Sequence, residues 1–263
     1  MTYGLGLLAD AGLVMIADTR TNGGVDNVSS YRKLHRLVGD GERDIFAASC
    51  GNLSATQAAI ALLVEKEEEE EAGERLARPL AEARSMFQAA RIAGEALRRA
   101  NGWVSEALAP ARKAGSCLLL GGRIGDAPPR LFLIYEEGNF IECKPDAPFL
   151  QIGETKYGRP ILDRVVRRDM ALPALVKIGL LSFDSAMRSN LSVARPLDLV
   201  VVPAAADEAV IEERIGEDDA YFDALSARWS RLLGEGAAAI PDPWFMSPGR
   251  HVPAAGSVAR LRP

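Results

Sequence analysis

Four strand-like runs precede the first helical period in this 263-residue chain, and that order rules out more folds than any other feature of the sequence. Residues 2–8 and 13–18 are short and apolar, and Asp10-Ala11-Gly12 between them favours a tight hairpin. The stretch TRTNGGVDNVSS reads as a long polar loop, with strands expected after it near Lys33–Val38 and Asp44–Cys50. A helix then runs from a capping Asn52 to about Glu65, with Ala58, Leu62 and Leu63 as its stripe. A second is expected from Leu80, Ala83, Phe87, Ala90, Gly94 and Leu97, which recur at steps of three and four.

Strands return at 117–120, 131–135, 140–143 and 149–152, with a Gly138-Asn139 turn among them. Helical segments follow at about 157–167 and 173–191, the latter with Val176, Leu180, Phe183, Met187 and Leu191 in register. A strand at 197–202 and a helix at about 218–233 precede a tail rich in proline. Strands and helices arrive in blocks and do not alternate as βαβ units must, so a doubly wound parallel sheet is disfavoured. The pattern fits an α+β fold of two antiparallel sheets covered by helix pairs.

The net charge of -5 argues against a phosphate-binding surface, so nucleic acid is not expected as a partner. No apolar run reaches the ~18 residues needed to span a bilayer, and no signal-peptide order is present, which points to a cytoplasmic protein without a membrane partner. Cys50, Cys117 and Cys143 lack ligand-like spacing and read as reduced core residues; no metal and no cofactor are expected. The run EKEEEEE at 65–71 reads as a solvated helix end or loop. Trp103, Trp229 and Trp244 read as core or subunit contacts, and the two histidines, His35 and His251, as structural or solvated.

Chemistry has one other place to reside. Thr2 is small enough to allow removal of Met1, which leaves its hydroxyl beside a free α-amine, a nucleophile and a base in one residue. If the hairpin closes through a three-residue loop at 10–12, Asp18 becomes a diagonal same-face neighbour of Thr2, at ~7–8 Å. Lys33 has the reach to bridge that gap and pair with Asp18. A backbone N–H near Gly51, at a strand-to-helix junction, is placed to stabilise an oxyanion.

Four stretches, MTYGLGLLADAGLVMIADTRTNGGVDNVSSYRKLH, CGNLSATQ, IGETKYGRPILDR and SFDSAMRSNLSVARPLDLVV, resemble in content and order the Anbu-type bacterial proteasome homologues. These are relatives of proteasome β subunits among the N-terminal nucleophile hydrolases. The likeness runs from Thr2 to about Val202, which suggests a hydrolase domain over 1–205 and a C-terminal extension, helix and tail, over 206–263. It implies the four-layer αββα sandwich and a homo-oligomer, ring or open ring, acting on peptide or protein substrates; it identifies no unfoldase partner. On that pattern Thr2 is the nucleophile of a threonine-type peptidase, Asp18 and Lys33 its activating pair, Gly51 the oxyanion donor, and Asp184 the late aspartate that orders the amine. Arg20, Thr21 and Asn22 correspond to the segment on which substrate pairs as an added strand, with Ser49 and Leu53 near the first specificity pocket. The Gly-Ser pair of proteasome β subunits is absent: Ile152-Gly153-Glu154 stands there, leaving Glu154, Tyr157, Ser185 or Ser189 to support the amine. That departure motivates the alternative of a non-catalytic scaffold subunit, and hydrolysis of small amides by the same residues is a third expectation.

Overall fold

A computed structural model describes residues 2–22, 28–65, 70–71, 74–75, 80–107 and 115–246. His251 and most of the proline-rich tail lie outside these residues. Strands β1 (Tyr3–Ala9) and β2 (Gly12–Asp18) form the hairpin, followed by the short strands β3 (Arg20–Asn22) and β4 (Val28–Ser30), then β5 (Leu34–Gly39) and β6 (Arg43–Cys50). Helix α1 (Leu53–Val64) comes next, with a two-residue strand pair, β7 (Glu70–Glu71) and β8 (Glu74–Arg75), before α2 (Met86–Ala107). Strands β9 (Cys117–Ile124), β10 (Arg130–Ile134), β11 (Phe140–Glu142) and β12 (Phe149–Gly153) lead to α3 (Arg159–Val165) and α4 (Leu172–Ser189). The described chain closes with β13 (Leu197–Pro203), β14 (Ile211–Ile215), α5 (Ala220–Ala239) and a 3-10 turn at Trp244–Met246.

Two five-stranded antiparallel sheets result, in the orders β12-β1-β2-β13-β14 and β11-β10-β9-β6-β5. Three separate cores define the layers. One joins α1 and α2 to β5, β6, β9 and β10; a second joins α3, α4 and the start of α5 to β1, β2 and β13; the third lies between the sheets. The molecule is therefore the α+β, four-layer αββα sandwich. Being covered on both faces explains why β1, β2 and β13 are buried at every position and read as continuous apolar runs instead of alternating ones.

Glycines let the sheets come close. A β-carbon built at Gly6 lands 2.7 Å from Leu131 and one at Gly121 2.7 Å from Leu13, each on the facing sheet, so aliphatic side chains fill the dents these residues leave; at Gly4 the side chain met, at 2.6 Å, is Ile152 of the neighbouring strand β12.

Some element boundaries differ from expectation. The second helix does not start at Leu80: a 3-10 turn covers Leu80–Glu82 and α2 begins at Met86. Leu80, Ala83, Ala90, Gly94 and Leu97 are buried as expected, and Phe87 alone of that stripe is half exposed, edge-on to Phe140. Helix α4 ends at Ser189, so Leu191 falls outside it and is 88% exposed. Of the tryptophans, Trp103 and Trp244 are exposed and Trp229 is half-buried, so none is a core residue. Strand β14 has no counterpart in the sequence reading; it lies beyond residue 205 yet pairs with β13 from Leu197↔Ile215 to Val201↔Ile211, completing the first sheet. Among the described residues, no helix is long and apolar enough to cross a membrane.

Candidate active site

The hairpin turn consists of Asp10 and Ala11 alone, with Ala9 opposite Gly12 and Gly4 opposite Ala17. This is one residue shorter than the three-residue loop expected, and it shifts the register: Asp18 comes opposite Tyr3 and is not a diagonal same-face neighbour of Thr2. Alternation along β2 places Asp18 on the side of Val14 and Ile16, against the α4 core, whereas Ala17 faces the other sheet. The carboxylate still reaches the end of the hairpin, because β1–β2 pairing stops at Gly4 and Asp18 Oδ1 accepts the Tyr3 backbone N–H at 2.9 Å.

Lys33 lies just before β5, and its Nζ donates to the same Asp18 Oδ1 at 2.9 Å and to the Arg20 carbonyl. Both side chains are almost completely buried. Burial pushes the Asp18 carboxyl above its ordinary pKa, against the pull of Lys33. Burial likewise pushes the Lys33 ammonium below its usual value, against the pull of Asp18. Among the described residues, Asp18 Oδ2 is buried with no hydrogen-bond partner.

The bend from β2 into β3 is held by Thr19, whose hydroxyl donates to the Pro196 carbonyl at 2.8 Å and whose own carbonyl accepts Tyr31 N–H. The second sheet approaches from the other side, where Ser49 N–H donates to the Lys33 carbonyl at 2.9 Å. Between the two lies a cleft of about 260 Å³ lined by Thr2, Thr21, Lys33, Ser49, Cys50, Gly51, Leu53, Thr56 and Gly153.

Two glycines shape it. Gly51 has φ +103°, and a β-carbon there collides with the Gly115 carbonyl; Gly153 has φ +77°, and a β-carbon there collides with the Thr2 carbonyl. The chain can therefore press against Thr2, whose carbonyl accepts Glu154 N–H at 2.7 Å. After Gly51, α1 begins with Asn52 as its cap, the side chain accepting Ala55 N–H at 3.2 Å as the sequence leads one to expect.

The expected site residues separate into two groups. Thr2, Thr21, Lys33, Ser49, Gly51 and Leu53 share the cleft, with Asp18 behind Lys33. Arg20 and Asp184 instead line a cavity of about 700 Å³ between α4 and α5, where Arg20 donates to the Leu191 carbonyl. Asp184 is buried there, accepting Arg188 at 3.2 Å and the Ser226 hydroxyl at 2.7 Å, so its carboxylate is committed to α5 and not to the cleft. Asn22 is the last residue of β3, paired with Val28.

Of the four groups considered for the missing serine, Glu154 is buried. Its Oε1 accepts the N–H groups of Lys156 and Tyr157 and its Oε2 the Asn190 amide at 2.7 Å. Burial raises its pKa, but those hydrogen bonds and the charge of Lys156 outweigh it and hold the carboxyl below its ordinary range. Tyr157 and Ser189 are exposed, and Ser185 is half-buried on α4.

The sequence reading did not place Cys50, Thr56 or Gly153 in the site. Cys50 and Cys117 are half-buried where core positions were expected, and Cys143 is buried. The position of Cys50 directly before Gly51 was the available signal.

No family model and no curated protein matches the chain. Solved structures do. Anbu from Hyphomicrobium sp. strain MC1 is 44% identical, covering 92% of this chain and 99% of that one with a TM-score of 0.80. Anbu from Yersinia bercovieri, described as an ancestral β-subunit, is 38% identical over 92% and 98% of the two chains, with a TM-score of 0.81. The helical assembly of the Anbu complex from Pseudomonas aeruginosa is 37% identical over 92% and 98%, with a TM-score of 0.82. With a shared fold, identities of 37–44% and 92% of its length aligned, this chain belongs to the Anbu family.

Proposed function

We propose that the protein is a threonine-type N-terminal nucleophile hydrolase that cleaves peptide amide bonds as a homo-oligomer. The observation that carries this reading is the convergence of Thr2, Lys33 and Gly51 on one cleft, with Asp18 bonded to Lys33 behind it. Removal of Met1 exposes an α-amine of reference pKa about 7.7–8.0, basic enough near neutrality to take the Thr2 hydroxyl proton directly or through a water. The Lys33 ammonium disfavours protonation of that amine and stabilises the forming alkoxide, while Asp18 fixes the lysine.

Attack of the Thr2 oxygen on a substrate carbonyl forms the C–O bond and an oxyanion, which the Gly51 N–H is suited to stabilise. Collapse breaks the C–N bond, the leaving amine takes the proton held on the α-amine, and water then hydrolyses the Thr2 ester. Substrate backbone adds beside Thr21, with Ser49 and Leu53 in the wall of the first pocket.

The test is direct. Intact mass of protein purified from its own cells should show loss of Met1, a Thr-directed electrophile should add covalently at Thr2, and Thr2→Ala should abolish peptide hydrolysis. Retention of Met1, or full hydrolysis by Thr2→Ala, overturns the reading. The homo-oligomer rests on family membership and on the helical assembly seen for the Pseudomonas aeruginosa relative. Sedimentation well above the 28.2 kDa of one chain is expected, and a monomer at working concentration refutes it.

A second reading, a scaffold subunit without turnover, is favoured by one observation: the Glu154 carboxylate that follows Gly153 is engaged by Lys156, Tyr157 and Asn190 instead of standing free to order an amine. It predicts the oligomer with no labelling at Thr2.

A further inference from the structure

Cys50, the last residue of β6, and Cys117, the first of β9, face each other with their sulfurs 2.8 Å apart. Directly opposed residues of an antiparallel pair sit about 4.5–5.5 Å apart at Cα, inside the 4.4–6.8 Å that a disulfide spans. Neither cysteine is bonded covalently, and closing the gap to a bond of about 2.05 Å needs an approach of only about 0.8 Å. The pair is also reachable, since Cys50 lines the Thr2 cleft.

We propose that Cys50 and Cys117 are a reversible oxidation site in the wall of the cleft, joined to a cross-strand disulfide by small peroxides and reopened by small thiols.

The surroundings separate the two sulfurs by role. The hydrogen bond shared with Cys117, together with a backbone N–H of Gly153 and the charge of Lys33 nearby, holds the Cys50 pKa below its ordinary value despite burial. The bond to Cys50 and burial push Cys117 the other way. Cys50, which lines the open cleft, is the sulfur that meets the oxidant. Its thiolate attacks one peroxide oxygen, the O–O bond breaks to give a sulfenic acid and hydroxide, and the hydroxide takes up the proton that Cys50 lost on ionising and leaves as the first water. The Cys117 sulfur then attacks Cys50 Sγ, and the displaced hydroxide takes the Cys117 proton and leaves as the second water. Two thiols lose two electrons, and the peroxide gains them.

Closure has a local consequence. Gly51 follows Cys50 and packs against the Gly115 carbonyl two residues before Cys117, so the bond ties together both chain segments that fix the Gly51 N–H.

Hydrogen peroxide applied to the full-length protein, followed by alkylation, tryptic digestion and mass spectrometry, tests the proposal without reference to hydrolysis. Expected are the Cys50 and Cys117 peptides joined with loss of two hydrogens, separation by dithiothreitol, and the same product in Cys143→Ser. In Cys117→Ser a dimedone reagent should trap a sulfenic acid on Cys50. Recovery of Cys50 and Cys117 as separately alkylated thiols, or their independent conversion to sulfinic acids, overturns the assignment. Because this readout does not depend on turnover, it stands or falls separately from the hydrolase reading.

Discussion

Lys33 Nζ lies 2.9 Å from Asp18 Oδ1, and that same oxygen accepts the Tyr3 backbone N–H, so one atom joins the segment before β5 to the strand that begins beside Thr2. Holding two charged groups together out of water requires that each have the other. Lys33→Met should therefore cost about 3–5 kcal/mol of unfolding free energy by stranding Asp18, and should remove hydrolysis. The double variant Lys33→Met with Asp18→Leu should recover much of that stability and none of the turnover. Urea unfolding of the two variants beside a peptidase assay checks both statements.

Gly153→Ala should be worse than Gly41→Ala. Both glycines have a left-handed φ, +77° and +87°, which an alanine adopts at a cost of about 1–2 kcal/mol. Nothing stands within 4 Å of a β-carbon at Gly41, whereas at Gly153 it collides with the Thr2 carbonyl. The difference in melting temperature between the two variants measures that close approach alone, and equal losses would deny it.

Tyr3→Phe should be destabilising although it keeps the ring that stacks on Phe183 at 4.3 Å. The lost hydroxyl pairs with Ser182 Oγ at 2.6 Å and accepts from the Gln151 amide at 2.8 Å, and Ser182 is fully buried. Leaving those groups short of a partner should cost about 1–3 kcal/mol, read from denaturant unfolding. Burial also pushes the Tyr3 phenol up to about 12, so an ultraviolet titration of the wild type should show one tyrosine still neutral when the ordinary ones have ionised near 10.

Acid stability should depend on Glu154. Its pKa is lower folded than unfolded, so its contribution is complete above the unfolded value of about 4.3 and disappears as pH falls through the folded value. Melting temperatures measured from pH 6 down to about pH 3 should fall less steeply for Glu154→Gln than for the wild type. Identical slopes would mean that the carboxylate is not held by Lys156, Tyr157 and Asn190.

Much of the sandwich was legible because its strands and helices carry strong patterns. The apolar runs of β1, β2 and β13, the Asn52 cap and the period of α4 depend on nearby residues. Other features depend on partners far away in the chain. Strand β14 reads IEERI and is largely exposed, so it has no apolar face to announce it; it exists because β13 offers an edge and Asp198 a partner for Arg214 at 2.8 Å. The hairpin register turned on whether Gly12 belongs to the turn or to the strand, and its pairing with Ala9 decided that. Asp184 presented the same difficulty: its i,i+4 spacing to Arg188 is visible in sequence, but its bond to Ser226 requires α5 to fold back over α4.

The cleft has walls from two different sheets: Thr2 and Gly153 belong to one, Lys33, Ser49 and Cys50 to the other. Main-chain hydrogen bonds do not run between stacked sheets, so besides the Lys33–Asp18 bond the alignment of these walls rests on packing such as that of Leu131 and Leu13, seated in the hollows that Gly6 and Gly121 leave on the facing sheet. A shear of one sheet over the other would have to lift both of those leucines at once. The seam thus behaves as a mechanical detent: it resists sliding, and it keeps Thr2 at the edge of one sheet aligned with Lys33 beside the other.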